Sequence, residues 1–226
     1  AGCDNWRYYV VDGKGKKVWH YESVHPSTDG MAVDLNGDKR QELLLGTSYY
    51  WWHCVTPDGA RKWGYRTSGG PGANVVAAGD LDGDGKPEAL FGGADTLVQA
   101  AGDGGKWRWT FNTGDEVKSL ACVDIDGDGT QEVIVGSLSF NVYCLSGDGK
   151  MRWRRDLGSS VNDAVVFKNA GRLLVAAGCD SGEVFVLSAT DGKLLGRFVA
   201  GGRVTGVAAP RVDARGRRAI VAISGD

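Results

Sequence analysis

The sequence has no apolar run that approaches the roughly 20 residues needed to span a bilayer. It also lacks an excess of either charge, since 26 basic and 28 acidic residues leave a formal net charge of −2. Without a basic field over the whole molecule, neither nucleic acid nor an anionic membrane is attracted to the chain. We therefore expect no nucleic-acid partner and no membrane insertion.

Proline and cysteine are scarce, with five of each among 226 residues. An odd number of cysteines cannot all pair with one another. Cys54, Cys122 and Cys144 stand in apolar, strand-like segments, which indicates small buried side chains rather than a disulfide framework. Cysteine use leaves the cellular compartment open.

Glycine is abundant, at 36 of 226 residues, and this indicates many tight turns between short strands.

Two unrelated sequence markers recur along the chain with the same period. Acidic turns begin at Asp34, Asp80 and Asp124, which are 46 and 44 residues apart. A glycine followed four residues later by tryptophan ends at four positions with spacings of 44, 46 and 44, namely Trp19, Trp63, Trp109 and Trp153. The chain is therefore a repeat array.

Each repeat contains four apolar runs separated by glycine and aspartate, as in "VKSLACVDIDGDGTQEVIVGSLSFNVYCLSGDGKMRWRRDLG". This pattern predicts a four-stranded antiparallel meander, and no segment has a helical period. Meanders of this size bury their faces by stacking around an axis. We predict an all-β fold, a single five-bladed β-propeller domain, with full blades at 27–70, 71–115, 116–160 and 161–203.

The two ends of the chain supply complementary halves of a repeat. Residues 204–226 match the first half and residues 1–26 match the second half. We therefore expect N-terminal outer strands and C-terminal inner strands to form the fifth blade and close the ring, which removes exposed strand edges. The alternatives are a fragment of a larger propeller and an engineered repeat domain.

The acidic turns offer side-chain oxygens at positions 1, 3, 5 and 9 and a backbone carbonyl at position 7. Oxygen ligands that converge in a flexible loop suit calcium, which takes six to eight of them at about 2.3–2.6 Å. The predicted ligands are Asp80, Asp82, Asp84, Lys86 and Glu88; Asp124, Asp126, Asp128, Thr130 and Glu132; and Asp34, Asn36, Asp38, Arg40 and Glu42. The other interpretation is a solvated polar turn.

The string D-x-D-G-D-G-x-x-E between two apolar strands resembles the FG-GAP or VCBS repeat of integrin-like propellers, and "DGK…W" is similar to pyrroloquinoline-quinone-type propeller repeats. The resemblance implies two to three structural calcium ions on the lower face of the propeller, and we predict no quinone.

The first turn departs from the pattern, with Asn36 at position 3 and Lys39 in place of glycine, which predicts backbone strain. The fourth repeat has lost the acids and the fifth keeps only Asp213.

A ligand surface is expected at the opposite ends of the strands, where the second strand turns into the third. "SYYWW" at 48–52 and "DNW" at 4–6 hold the densest aromatic residues, and not all of them can face inward on an alternating strand. Polar side chains begin the innermost strands. The predicted ligand-binding residues are Tyr49, Tyr50, Trp51, Trp6, Asn74 and Asn162, with packing under a loop and a water-filled channel as the alternatives.

The three histidines show no metal spacing and no nucleophile motif, so catalysis has little support. The sequence favours a monomeric, non-catalytic binding module for a glycan or a protein, secreted to an extracellular or periplasmic location. The alternatives are an enzyme of the polysaccharide-lyase type and an architectural domain without its own ligand.

Overall fold

The computed structural model describes residues 1–212 and 218–225, so that Asp213 lies outside the described residues. These residues form 21 β-strands and one 3-10 turn, and within them there is no α-helix. In the same part of the chain, no helix is long and apolar enough to cross a membrane. The all-β prediction is confirmed.

The strands follow the repeat period along the chain. Their bounds are β1 Gly2–Cys3, β2 Arg7–Val11, β3 Lys17–Glu22, β4 Ser27–Val33, β5 Glu42–Thr47, β6 Tyr49–Val55, β7 Arg61–Pro71, β8 Ala73–Gly79, β9 Glu88–Gly93, β10 Leu97–Ala101, β11 Trp107–Asn112, β12 Val117–Val123, β13 Glu132–Ser137, β14 Asn141–Leu145, β15 Met151–Asp156, β16 Val161–Asn169, β17 Arg172–Cys179, β18 Glu183–Ser188, β19 Leu194–Val199, β20 Arg203–Ala208 and β21 Val221–Gly225.

Four sheets have four strands each, in the sequential orders β4 to β7, β8 to β11, β12 to β15 and β16 to β19, and every neighbouring pair is antiparallel. This is the predicted meander. The pairing of the third and fourth strands shifts register in each full sheet close to the glycine turn that joins them, as between Cys144 and Leu145. Each full sequence repeat therefore forms one four-stranded sheet.

The ends of the chain form two partial sheets. β1, β2 and β3 pair in that order, and β20 pairs with β21. The N-terminal sheet contains one strand more than expected, because Gly2 and Cys3 pair with Tyr8 and Arg7. In the described residues no sheet joins the two ends, so the five-bladed ring and its closure stay a prediction.

The strands group into two compact units. The first contains Ala1–Asp80 and Asp84–Asn112, and the second contains Leu81–Gly83 and Thr113–Asp226. The first unit has a core around Leu44, Trp52 and Phe91, in which the Trp52 and Phe91 rings stack with centroids 3.8 Å apart. The second unit packs Ile134, Val161 and Leu187 with neighbouring aliphatic residues. Cys54, Cys144 and Cys179 are buried free thiols.

Three of the four recurrent tryptophans, Trp19, Trp63 and Trp153, pack against the glycine turn of the following repeat. The indole N–H of Trp19 donates to the Pro57 carbonyl at 3.1 Å, and that of Trp153 donates to the Ala189 carbonyl at 2.9 Å. A Cβ atom built on Gly59 would lie 3.2 Å from the Trp19 ring, and one on Gly192 would lie 2.7 Å from the Trp153 ring. The two ends of the G-x-x-x-W motif therefore contact each other across successive sheets, as packing between blades requires.

Gly192→Ala should be clearly more destabilising than Gly15→Ala. Both glycines have positive φ, +68° and +79°, so that both substitutions carry the same torsional penalty of about 1–2 kcal/mol. Only Gly192 faces a tryptophan, whereas a Cβ on Gly15 would have no neighbour within 4 Å. Displacement of the ring should add roughly 1–3 kcal/mol. Urea unfolding of the two variants measures the difference, and equal losses would contradict the packing role.

Candidate functional site

The acidic turn at 124–132 is held by hydrogen bonds from its own backbone. Asp124 accepts the N–H groups of Gly127 at 2.7 Å and Gly129 at 3.2 Å, and Asp128 accepts the N–H of Thr130 at 2.8 Å. Gly127 and Gly129 adopt φ values of +82° and +92°, which glycine takes without steric cost. The glycine spacing therefore folds the turn so that its alternate side chains converge.

Three carboxylates of this turn form a candidate metal centre. Single oxygen atoms from Asp124, Asp126 and Glu132 all lie within 4.8 Å of one another. Glu132 is only 2% exposed, and its Oε2 accepts the N–H of Ile125 at 2.9 Å. Carboxylate oxygens in a turn of this kind are the ligands that calcium prefers. The chemistry of the donor set thus fits the predicted metal.

The turn at 80–88 has the same arrangement. Asp80, Asp82 and Glu88 offer oxygen atoms within 4.8 Å of one another, and Glu88 is buried. Asp80 accepts the N–H of Gly85 at 2.9 Å, and Asp84 accepts that of Lys86 at 2.8 Å. Two of the three predicted turns therefore bring together acidic clusters that could hold a cation.

The turn at 34–42 differs at the two positions expected from the sequence. The amide of Asn36 donates to Asp38 at 3.2 Å and to Glu42 at 3.3 Å, so it supplies a donor where the other turns have a third carboxylate. Lys39 has φ of +69°, the left-handed torsion at which Gly85 and Gly129 stand. The predicted backbone strain is located here, since a side chain at this torsion costs about 1–2 kcal/mol.

The remaining predicted metal residues make other contacts. Arg40 pairs with Asp58 at 2.9 Å, the Thr130 hydroxyl donates to Asp128 at 2.6 Å, and Lys86 uses its N–H within its own turn. The two bonds from Thr130 lower the pKa of Asp128. Coordination by Asp38, Arg40, Asp84, Lys86, Asp128 and Thr130 stays a prediction.

A basic side chain from the fourth strand reaches each buried glutamate. Arg152 Nη1 lies 2.5 Å from Glu132 Oε1 and 2.8 Å from Asp126 Oδ2. Arg108 Nη2 lies 2.8 Å from Glu88 Oε1, and Lys62 Nζ lies 3.0 Å from Glu42 Oε1. Sequence reasoning missed these three residues. Their signal is positional, because each immediately precedes a periodic tryptophan.

At the other end of the second strand, aromatic side chains from two sheets gather around His25. The His25 ring centroid lies 5.9 Å from Trp6, 5.9 Å from Tyr49 and 5.7 Å from Tyr50. Trp6 is 52% exposed and Tyr49 is 55% exposed. The guanidinium of Arg66 lies 5.1 Å from the centroid of Tyr50. We call Trp6, His25, Tyr49, Tyr50 and Arg66 the aromatic surface.

Two members of the aromatic surface occupy strained backbone positions. A residue with positive φ stands at the start of the third strand, or directly before it, in each four-stranded sheet, and another stands directly before β2 in the N-terminal sheet: Trp6 at 65°, Tyr50 at 59°, Thr96 at 72°, Phe140 at 70° and Gly182 at 79°. Glycine, as in the fourth repeat, is the residue that this torsion favours. Three repeats place an aromatic residue there instead, and strain of this kind is characteristic of functional sites.

The other predicted ligand residues are located elsewhere. Trp51 is half-buried and stacks on the ring of His53 at 5.7 Å, while Trp52 faces the core. Asn74 lies half-buried in β8 of the first unit. Asn162 lies in the second unit, where its buried amide donates to Asp180 at 2.6 Å and to the Val204 carbonyl at 2.8 Å. The aromatic surface therefore unites Trp6, Tyr49 and Tyr50 of the predicted set.

His53 is a buried neighbour of this region. Its Nδ1 lies 3.3 Å from the Tyr21 hydroxyl, and burial together with the charge of Arg61 lowers its pKa to about 4. A histidine in this environment is uncharged at neutral pH and serves as packing between Trp51 and Tyr21.

The sequence and the fold resemble known propeller repeats. Residues 34–91 match the family model for an FG-GAP-like repeat, and residues 113–198 match the lambda-carrageenase β-propeller domain. No curated protein matches the chain significantly. Together with the four-stranded sheets, these matches support the assignment of the repeats to the FG-GAP and propeller type.

Solved propeller-like structures align with almost the whole chain. A crystal structure of BBS1N in complex with ARL6DN, soaked with lead, gives a TM-score of 0.72 at 17% identity and covers 99% of this chain and 69% of that one. The crystal structure of Saccharomyces cerevisiae Sqt1 gives 0.80 at 13% identity and covers 99% of this chain and 65% of that one. At these identities the likeness concerns the fold.

Proposed function

We propose that this chain is a calcium-stabilised, non-catalytic binding module whose ligand contacts the aromatic surface. The observation that carries the proposal is the grouping of exposed Trp6 and Tyr49 with Tyr50 around His25, with Arg66 over the Tyr50 ring. Tryptophan, tyrosine and arginine are the side chains that dominate protein-binding surfaces. An exposed group of them on a stable β-scaffold supports recognition of a partner.

A protein is the first candidate ligand. Aromatic anchors beside an arginine suit a protein surface, and the similar BBS1N structure is itself a complex with a protein, ARL6DN. A glycan is the second candidate, because exposed aromatic faces also stack on sugar rings and residues 113–198 match a propeller domain of an enzyme named for a polysaccharide. Either ligand is consistent with a secreted, monomeric module.

Calcium has a structural role in this proposal. The acidic turns join the first and second strands, whereas the aromatic surface lies where the second strand turns into the third. β5 separates Glu42 from Thr47, a distance of roughly 17 Å at about 3.3 Å per residue. An ion at the turns therefore stabilises the sheet without touching the ligand.

The acidic turns should bind calcium with two affinities. Turns 80–88 and 124–132 bring three carboxylates together, whereas turn 34–42 carries Asn36 and the strained Lys39. Calorimetric titration should resolve two tighter binding events and one weaker or missing event, and Asp126→Asn should remove one tight event. Three equal events, or none, would contradict the assignment.

Removal of the strained aromatic side chains should separate ligand binding from stability. Trp6→Gly and Tyr50→Gly delete aromatic rings but relieve left-handed torsions that cost about 1–2 kcal/mol each. We expect loss of ligand binding with no loss of thermal stability, measured on a glycan array, by affinity capture of protein partners and by calorimetry.

Phe140→Gly is the matched control, because Phe140 is an exposed aromatic residue at the equivalent turn of the third repeat, with φ of +70°. It should relieve the same strain and leave binding intact. Retained binding in Trp6→Gly and Tyr50→Gly, or equal loss in Phe140→Gly, would place the ligand elsewhere.

We further propose that the two partial sheets complete one five-bladed ring. A groove of about 340 Å³ beside Tyr8 and Val10 opens over β4 and β5, where the proposed ring would place the inner strands of the fifth blade. A second groove of about 340 Å³ lies between β18, β19 and β21, where the proposed ring would place its outer strands. Its lining is mostly apolar and includes Phe198, Ile220 and Ala222. In the proposed blade, β20 and β21 are the two inner strands and β2 and β3 are the two outer strands, and the short β1 is an addition beside β2.

Deletion of residues 1–22 should therefore expose the apolar groove at β18 and β21. We expect an oligomeric or insoluble product, because an unpaired strand edge beside an apolar surface promotes association. Size-exclusion chromatography with light scattering measures the outcome. A truncated chain that stays monomeric and melts at the full-length temperature would rule out closure.

A further inference from the structure

We propose that Lys62, Arg108 and Arg152 are internal counter-ions that occupy the acidic turns in the absence of calcium and that calcium must displace. They would hold the metal-free fold together and, at the same time, limit calcium affinity. The inference rests on the proposed calcium role and adds the residues that set the affinity of each turn.

At the acidic turn at 124–132, Arg152 contacts carboxylate oxygens that the turn's own backbone does not use. Glu132 Oε2 accepts the N–H of Ile125, and Asp126 Oδ1 accepts the N–H of Asp128 at 3.3 Å. The two other oxygens of these carboxylates, Glu132 Oε1 and Asp126 Oδ2, both contact Arg152 Nη1. A calcium ion bound to these oxygens at about 2.3–2.6 Å would therefore meet the guanidinium group.

The basic residue is present only in repeats that have the acidic turn. The position before the periodic tryptophan holds Lys62, Arg108 and Arg152 in the three acidic repeats. It holds Val18 in the N-terminal partial sheet and Leu195 in the fourth repeat, and both of these apolar side chains are exposed. The position itself therefore does not require a cation for packing.

The strand register shows that the acid and the base change together. In the third sheet Glu132 stands one residue before Val133, which pairs with Leu145, and Leu145 pairs with Met151. In the fourth sheet Leu174 stands one residue before Val175, which pairs with Leu187, and Leu187 pairs with Leu194. Leu174 and Leu195 thus replace Glu132 and Arg152 as a pair.

Burial explains the coupling between the two positions. A carboxylate that is 2% exposed is strongly destabilising without a compensating charge, and so it is accompanied by a base or a metal. The exposed fraction of the Arg152 side chain is 32%, so water reaches the base and its departure is less costly than that of the acid. The base is the partner that can be exchanged for calcium.

Arg152→Met tests the inference in a chain that also carries Asp34→Asn and Asp80→Asn, so that calcium reports on the third turn. Removal of the guanidinium should tighten calcium binding at least tenfold by calorimetry and lower the melting temperature measured in chelator. The matched control is Arg154→Met on the same strand, whose side chain makes no ion pair in the part of the chain that the structure describes; it should change neither quantity.

Two further variants keep the test decisive. Arg152→Lys retains the charge and should bind calcium within a fewfold of the parent. Glu132→Leu with Arg152→Leu reproduces the fourth repeat and should melt in chelator near the parent temperature while losing the calcium response. If Arg152→Met folds only with calcium present, its dependence on the ion supports the exchange.

The opposite results are distinct. If the parent binds calcium and Arg152→Met binds it equally or more weakly, Arg152 does not compete with the metal and the inference is wrong, while the proposed calcium role stands. An unchanged melting temperature of Arg152→Met in chelator also overturns it. If neither protein binds calcium, both the inference and the calcium role fail. Binding in Arg152→Met alone supports the inference most directly.

Discussion

The buried glutamate at the start of the second strand is the constraint on which the acidic repeats depend. Glu42, Glu88 and Glu132 are each 2–3% exposed, and each would be strongly unfavourable without donors around it. The turn supplies a backbone N–H, as from Ile125 to Glu132, and the fourth strand supplies a base. The carboxylate therefore links the turn between the first two strands to the outermost strand of the same sheet.

Much of this organisation could be predicted from the sequence, because it is local or periodic. The 44- to 46-residue period and the alternation of apolar runs predicted the meander, and the missing glycine at Lys39 predicted the strained torsion that the chain adopts. The basic partners were missed because their contacts join the second and fourth strands, and which residues meet there depends on strand register. The grouping of Trp6 with Tyr49 and Tyr50 depends on how two sheets pack.

The acidic turns and the aromatic surface lie at opposite ends of the second strand. At the acidic end, basic side chains compensate the charge of the buried glutamates. At the other end, one residue near the start of the third strand has positive φ in each four-stranded sheet, as does Trp6 directly before β2. The residue type at this position differs between repeats, as in Gly182, Thr96 and Trp6. Variation at a constant backbone geometry is how a rigid scaffold presents different contacts. In the proposed function, a ligand surface is formed by turn residues without change to the packing beneath them.

A crystal structure of the chain at saturating calcium tests most directly whether calcium displaces the basic side chains from the acidic turns. We predict an anomalous peak for one ion among Asp124, Asp126 and Glu132, with the Arg152 guanidinium moved out of contact with Glu132 Oε1, and the equivalent change at Glu88 and Arg108. Arg152 still paired with both carboxylates, with no ion at the turn, would contradict this prediction.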